Sequence, residues 1–342
     1  MTKPQKLLWL ALVGLAIFLF WWQLPPKLEQ IEIQGSTMGT YYVVKLVVPD
    51  ADAVDGEAIK QQIDARLIDL NRSMSTYDPE SELSAFNQSD STEAVVVSNQ
   101  LGFVLDEAIR LGELSKGALD VTVGPLVNLW GFGPEGRPEK VPTDEDIKQA
   151  RVRVGLEKIE LSGTGLRKFN DGVYVDLSAI AKGYGVDEVA DLVLHLGFAN
   201  AMIDIGGELR VAGYNQQCQP WRVAIEKPVS TERAVQQVVD VSDIGMATSG
   251  DYRNYFEQDG QRFSHTIDPA TAKPISHKLV SVTVLHPSSM TADGLATALM
   301  VMGDEKGLAW AEAIELPVYM IVKTATGFEA KYSAAMAAYL VD

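Results

Sequence analysis

Cysteine is nearly absent: Cys218 stands alone among 342 residues. No intramolecular disulfide can form, and every Cys-pair metal or redox motif is excluded. Histidine is scarce as well, with four in the chain, none of them in a zinc-type pair. Positive charge is in deficit. Against 46 Asp and Glu there are 29 Lys and Arg, for a formal net charge of −17. No basic cluster offers the counterion displacement that a nucleic-acid surface demands, so DNA and RNA are excluded as partners. No Gly-x-Ser-x-Gly elbow occurs, nor any internal repeat, low-complexity tract or long linker. What the chain does have is apolar bulk: 46% hydrophobic and 22% charged residues make a large core, in one big domain or two modest ones.

Leu7 to Trp22 runs without a charge, preceded by Lys3 and Lys6 and closed by Pro25 and Pro26. Residues 1–26 therefore read as a membrane-targeting segment, slightly shorter than the roughly 20 residues of an ideal spanning helix. The run ends in Phe20, Trp21, Trp22, Gln23 and Leu24 rather than in small residues, which favours an uncleaved anchor over a cleaved signal. Tryptophans suit a membrane interface and the early lysines a cytoplasmic N-terminus. The expectation is a single anchor in the inner membrane with the domain 27–342 in the periplasm. With no cysteine nearby, a lipoprotein is excluded.

Thr40 to Val48 reads as a strand. Ile59, Ile63, Leu67, Leu70 and Met74 recur at near-helical spacing, as do Leu101, Val104, Leu105, Ala108 and Leu111 in a second helix ending near Gly117. A capping-box pattern at Thr143 and Asp146 opens a short helix. Val173 to Val175 reads as a strand leading into a third helix that begins at Asp176 and Ser178, buries Val186, Val189, Ala190 and Val193, and ends at Gly197. Further strands are expected at residues 201–205, 222–225, 236–241, 262–267, 280–285 and 318–323, with Asp259-Gly260 as a two-residue hairpin turn. Consecutive strands with helices grouped elsewhere predict an α+β fold rather than a doubly wound parallel sheet.

Two glycine patterns mislead. Gly131, Gly133 and Gly136 have dinucleotide-fingerprint spacing, but Pro134 and Arg137-Pro138 deny it the phosphate-binding helix. Gly112 and Gly117 have the first P-loop spacing, but Ala118 and Leu119 stand where a lysine and a hydroxyl are needed. More informative is Met290-Thr-Ala-Asp-Gly-Leu-Ala-Thr297, a helix start with Thr291 as N-cap. Asp293 and Thr297, four apart, would share one helical face near its positive end, a hard-oxygen set suited to Mg²⁺ and phosphate. Asp293 could equally serve only the helix dipole. Asp176 to Tyr184, with Lys182 one turn in, is a ligand-binding junction or a plain capped helix start. Ser264-His265-Thr-Ile-Asp268-Pro269 holds the one histidine in a special context, and Gly206-Gly207 after Asp204 permits close backbone approach or a tight turn.

Taken in order, these stretches resemble the ApbE family across nearly the whole chain from Gly35 onward. The resemblance is carried by Gly35-Ser-Thr-Met-Gly-Thr40, Ser75-Thr-Tyr-Asp-Pro79 with Ser81-Glu-Leu-Ser84, Gly117 to Pro125 and Leu129-Trp-Gly-Phe132. It continues through Asp176 to Tyr184, Gly206-Gly207, Ala247-Thr-Ser-Gly250, Ser264 to Pro269 and Met290 to Thr297. It implies an α+β fold related to T-folds, with two subdomains around a flavin, and a transferase that splits FAD, releases AMP and esterifies FMN to a threonine of a partner protein. It also implies Mg²⁺ held by Asp293, Thr297 and the carbonyl of Ala179, and an FAD site lined by Met38, Tyr77, Ala118, Leu119, Asp120, Asp176, Lys182 and Ile267. Acceptors implied are subunits of Na⁺-translocating NADH:quinone reductase and Rnf-type complexes. For the general base, His265 is the candidate, because imidazole titrates near neutrality, while a metal-bound Asp293 would be a poor base. A metal-dependent FAD pyrophosphatase and a non-catalytic flavin-binding protein remain as alternatives.

Overall fold

In a computed structural model, residues 27–134, 136, 141–228, 234–251, 255–258 and 261–341 are described. The apolar segment Leu7 to Trp22 and the turn residues Asp259 and Gly260 lie outside them. Among the described residues no helix is long and apolar enough to cross a membrane.

The first half of the chain supplies β1 (Glu29–Thr37), β2 (Thr40–Val48), α1 (Gly56–Met74), α2 (Glu82–Gln88), β3 (Val95–Val96), α3 (Asn99–Leu114), α4 (Gly124–Leu129) and α5 (Asp144–Arg151). There follow β4 (Ile159–Ser162), β5 (Gly165–Lys168), α6 (Ala181–His195), β6 (Ala201–Ile205), β7 (Glu208–Ala212), β8 (Trp221–Glu226), β9 (Val235–Val241) and β10 (Ile244–Gly250). The chain closes with β11 (Tyr255–Gln258), β12 (Gln261–Ser264), β13 (Ile267–Asp268), β14 (Lys273–Pro274), β15 (Leu279–His286), α7 (Ser289–Met302), α8 (Asp304–Ala313), β16 (Val318–Lys323) and β17 (Phe328–Tyr332). Eight strands form one sheet in the order β1-β2-β6-β7-β10-β15-β16-β17, with every pair antiparallel. The mixed composition with an antiparallel sheet matches the α+β expectation.

Two apolar layers sandwich this sheet. On one face α1 and α6 pack on β1, β2 and β6, with Ile59, Ile63, Leu67, Val186, Val189 and Val193 buried. Beside them α3 and α7 pack on β10, β15 and β16. The helical periodicities read from the sequence are these buried stripes; each large aliphatic side chain buried contributes about 1.5–3 kcal/mol. The other face is covered by the β8–β9 hairpin through Trp221, Val223 and Ile225. A smaller lobe has its own core of Leu126, Trp130, Ile147, Phe256, Phe263 and Ile267, in which Trp130 Nε1 donates to the Ala272 carbonyl at 3.1 Å.

Several local expectations need correction. Val173 to Val175 joins no sheet. The Asn87 side chain takes the place of a neighbouring strand, accepting from Val175 N and donating to Val175 O, both at 2.8 Å. The third helix begins at Ala181, not at Asp176, because the Asp176 carboxylate folds back onto Ser178 N and Oγ at 2.9 and 2.5 Å, a local turn that competes with helix. Ser288, not Thr291, is the N-cap of α7, accepting from Thr291 N at 3.2 Å. Residues 262–267 form no single strand but break between β12 and β13. The Thr143 and Asp146 capping box is present as read.

The start of α7 is fixed from outside the helix. Asp187, on α6, accepts from Ser288 Oγ at 2.8 Å, from the backbone N–H groups of Ser289 and Met290 at 3.0 Å, and from Arg210 at 3.1 Å. One carboxylate thus satisfies first-turn donors that a helix leaves open, beside the positive end of its dipole. We expect Asp187→Ala to cost roughly 1–3 kcal/mol of stability, the desolvation cost of the stranded donors, read as a lower urea midpoint with unchanged m-value. A midpoint within error of the unsubstituted protein would show that this brace is not holding the helix pair.

Candidate functional site

A cavity of about 760 Å³ opens where the main sheet, the start of α6, the middle of α7 and the smaller lobe meet. Each sequence-predicted site residue lines it: Met38, Tyr77, Ala118, Leu119, Asp120, Asp176, Ala179, Lys182, His265, Ile267, Asp293 and Thr297.

Turns bring several of them in. Met38 and Gly39 have φ of 49° and 71° between Thr37 and Thr40, which pair directly. This is the left-handed two-residue turn that suits a hairpin, and it holds a non-glycine residue in a strained conformation at the cavity wall. Tyr77 stands at the rim, 66% exposed. Its loop is held from below by Ser81 and Ser84, whose hydroxyls donate to the Ser75 carbonyl at 2.6 and 3.2 Å. Those two motif serines are braces, away from the cavity. Burial and the nearby Asp176 carboxylate raise the Tyr77 pKa, so the ring stays a neutral phenol. Asp120 is buried and accepts from Thr122 N and Oγ1 at 2.8 and 2.6 Å; burial pushes its carboxyl up.

The electrostatic centre lies between α6 and α7. Asp293 is buried, and its Oδ2 accepts from Gly183 N at 2.9 Å. That bond exists because residue 183 is glycine: a Cβ there would lie 2.3 Å from the Ser289 carbonyl oxygen and 2.8 Å from Asp293 Cβ. Lys182 Nζ sits 2.6 Å from Glu208 Oε2. Burial alone would lower the Lys182 ammonium, but Glu208, Asp293 and Asp204 hold it above its ordinary range. Burial raises the Glu208 carboxyl against the pull of Lys182. Asp293 is pushed up to about 7, first by burial, with Glu208 adding to the shift and Lys182 and the Gly183 N–H opposing it.

This arrangement fits a divalent cation. One lysine faces two buried carboxylates, so the cluster is short of positive charge. The donors that Asp293, Thr297 and the Ala179 carbonyl can offer are all hard oxygens, the set that suits Mg²⁺ rather than zinc or copper. Among the described residues no group of three or more His, Cys, Asp or Glu side chains gathers as a metal cluster; a set of one carboxylate, one hydroxyl and one carbonyl is not a group of that kind.

Other cavity residues went unread in the sequence. Glu208, the partner of Lys182, follows Gly206-Gly207, which close the β6–β7 turn with φ of 63° and 106°; the turn signal was visible, its acidic neighbour was not. Arg222, Ala224 and Glu226 of β8 also reach the wall, and no local pattern marks them.

The Asp293 shift has a pH consequence. Its folded pKa lies above the ordinary 3.8, so the stability tied to its protonated form is present below pH 3.8 and is lost as pH rises through about 7. Without divalent cations, Asp293→Asn should therefore gain Tm over the unsubstituted protein as pH rises from about 4 to about 7, and hold that gain above. A pH-independent difference would mean that the carboxyl ionises without cost.

Comparison with known proteins bears on the same residues. The model of the ApbE family matches residues 38–320. A protein of Vibrio cholerae serotype O1 named FAD:protein FMN transferase is 52% identical over 329 residues, covering 96% of this chain and 98% of its own. One of the same name from Haemophilus influenzae is 50% identical over 311 residues, covering 89% and 90%. Among solved structures, the flavin transferase ApbE from Vibrio cholerae superposes with a TM-score of 0.85 at 51% identity, covering 92% of this chain and 100% of that one. The apbe protein of Thermotoga maritima gives 0.81 at 27% identity, with 92% and 100% covered. The family match over most of the chain, joined to one cavity that gathers the motif residues, shows that this protein belongs to the ApbE family.

Proposed function

We propose that this protein is an FAD:protein FMN transferase that esterifies FMN to a threonine hydroxyl of a partner protein, with Mg²⁺ held by Asp293, Thr297 and the Ala179 carbonyl. The observation that carries the reading is the buried Asp293 beside the Lys182–Glu208 pair, in a cavity lined by the residues on which the resemblance to the family rests, within the stretch 38–320 that the family model matches.

The reaction balances as follows. The threonine oxygen forms a bond to the phosphorus of the FMN half of FAD. The anhydride bond to the AMP phosphate breaks, AMP leaves, and the hydroxyl proton passes to His265 Nδ1 or Nε2. Bound Mg²⁺ would supply neutralisation of the charge that builds on the phosphates. Asp293 and Thr297 would hold the ion, and Lys182 adds a fixed positive group. Tyr77, a neutral ring exposed at the rim, offers a stacking face to the flavin. His265 is the single histidine lining the cavity among the described residues, which is why the base is assigned to it. Water in place of the acceptor would make the same site an FAD pyrophosphatase.

Acceptors of this reading are flavinylated subunits of Na⁺-translocating NADH:quinone reductase or Rnf-type complexes. The segment 1–26 would anchor the enzyme in the inner membrane with its site in the periplasm.

Mass spectrometry of an acceptor subunit incubated with the enzyme, FAD and Mg²⁺ tests this. The expected outcome is one FMN added at one threonine, lost in Asp293→Ala and slowed by about 10²-fold or more in His265→Ala, the range for removing a general base. FMN and AMP released with no added mass would overturn the transferase reading in favour of the hydrolase. Transfer at the ordinary rate by a folded His265→Ala would remove His265 as the base.

A further inference from the structure

Among the described residues the β8–β9 hairpin has one open edge, and that edge faces the reaction cavity. β8 pairs with β9, and no other described strand joins it. The far side of β9 is occupied by the C-terminal residues: Val239 bridges Leu340, and Val341 N donates to the Val238 carbonyl at 3.1 Å. The bond from Val341 also fixes which way β8 faces. Because Val238 turns its carbonyl away from β8, the antiparallel pair Ala224↔Val238 is one whose members do not bond each other. The N–H and C=O of Ala224 therefore point out of the open edge, and so do those of Arg222, two residues earlier.

Five consecutive residues, Arg222 to Glu226, line the cavity. A cavity resting on a face of the strand would meet every second residue; contact with all five means that it runs along the edge. The sheet beneath is notched at the same place. β10 pairs with β7 only through Ile244, Gly245 and Met246, whereas its pairing with β15 continues to Gly250. Beyond Met246, no described strand lies on the β10 side facing β7, and Thr248, Ser249 and Gly250 border the cavity there. Met246 packs in the layer under β8, while Lys182 and Asp293 belong to the helical face. All of them line one continuous cavity, so the notch joins the β8 side to the charged centre.

We infer that the open edge of β8 receives the acceptor protein as an added strand: an extended segment whose main chain bonds Arg222 and Ala224 and whose hydroxyl residue reaches through the notch toward Asp293. The inference rests on the transferase reading for the nature of the partner. Strand addition takes its affinity from main-chain bonds and leaves alternate side chains free. It thus suits an enzyme that must admit a folded protein and present one hydroxyl to a buried phosphate. An unpaired edge is an aggregation hazard that proteins usually blunt, and here it is kept beside the site.

The test uses the intact enzyme and the folded acceptor subunit. Ala224→Pro deletes an outward N–H without removing a rung to β9, whereas Ala224→Ser keeps it. With FAD saturating, Ala224→Pro is expected to raise the acceptor KM by on the order of tenfold, the worth of a main-chain hydrogen bond or two. FAD affinity, read by flavin fluorescence in both variants, separates a loss at the docking edge from a loss of flavin, and the acceptor KM of Ala224→Pro should exceed that of Ala224→Ser, which keeps the N–H, by that factor. In parallel, hydrogen exchange on the unsubstituted enzyme with FAD should slow across residues 222–226 when the acceptor is added, a measurement that needs no variant to fold. An unchanged KM in a folded Ala224→Pro, or no slowing in that stretch, overturns the docking inference while FMN transfer by the same sample leaves the transferase reading intact. Slowed exchange without transfer would do the reverse, supporting the docking and removing the reading.

Discussion

Two helix starts meet across a glycine, and the site depends on that contact. Gly183 lets α6 approach α7 so closely that any side chain would collide with the Ser289 carbonyl, and its N–H then bonds Asp293. The cost is a carboxylate buried with too little positive charge around it, which is why Asp293 resists ionisation until about pH 7. Under the proposed function, burial that opposes ionisation of Asp293 would be offset by a bound cation, since a metal takes the ionised form. Asp187 makes the contact reproducible by tying the first turn of α7 to α6. Small residues elsewhere serve the same approach: a Cβ on Gly245 of β10 would lie 2.7 Å from Ser289 N.

That dependence explains which parts of the molecule were legible in the sequence. The long helices announced themselves because their buried stripes repeat at 3.6 residues, β2 and β16 because they are rich in β-branched and aromatic residues, and β6 because its buried Ala201, Ile203 and Ile205 alternate along the strand. β10 was missed because its residues, Ile-Gly-Met-Ala-Thr-Ser-Gly, were selected for closeness to α7 rather than for strand propensity. β1 was missed because it is an edge strand, where Glu29, Glu32 and Gln34 interrupt the apolar pattern, as edges generally do. Val173 to Val175 carried a strand pattern without a strand, since the side chain of Asn87, distant in sequence, satisfies its backbone.

The site is legible in the sequence as separate motifs, which the family resemblance joins. Local spacing marked Asp293 and Thr297, but Glu208 could not be tied to Lys182 from sequence, because the two meet only when β7 lies under the start of α6. Asp187 gives no signal at all: a mid-helix acid reads as solvated surface until the start of α7 is found against it. The β8 edge is likewise a property of what does not pair with it, which no stretch of sequence states.

In the proposed mechanism the buried Asp293 carboxyl releases its proton when a cation binds in its place. Calorimetric titration of Mg²⁺ into the FAD-saturated protein, repeated from about pH 5.5 to about pH 8 in buffers of different ionisation enthalpy, reads affinity and proton release together. Affinity should climb until about pH 7, with proton release that fades above it and is absent in Asp293→Asn. An affinity and proton count that Asp293→Asn leaves unchanged would contradict that mechanism, placing the cation elsewhere in the cavity.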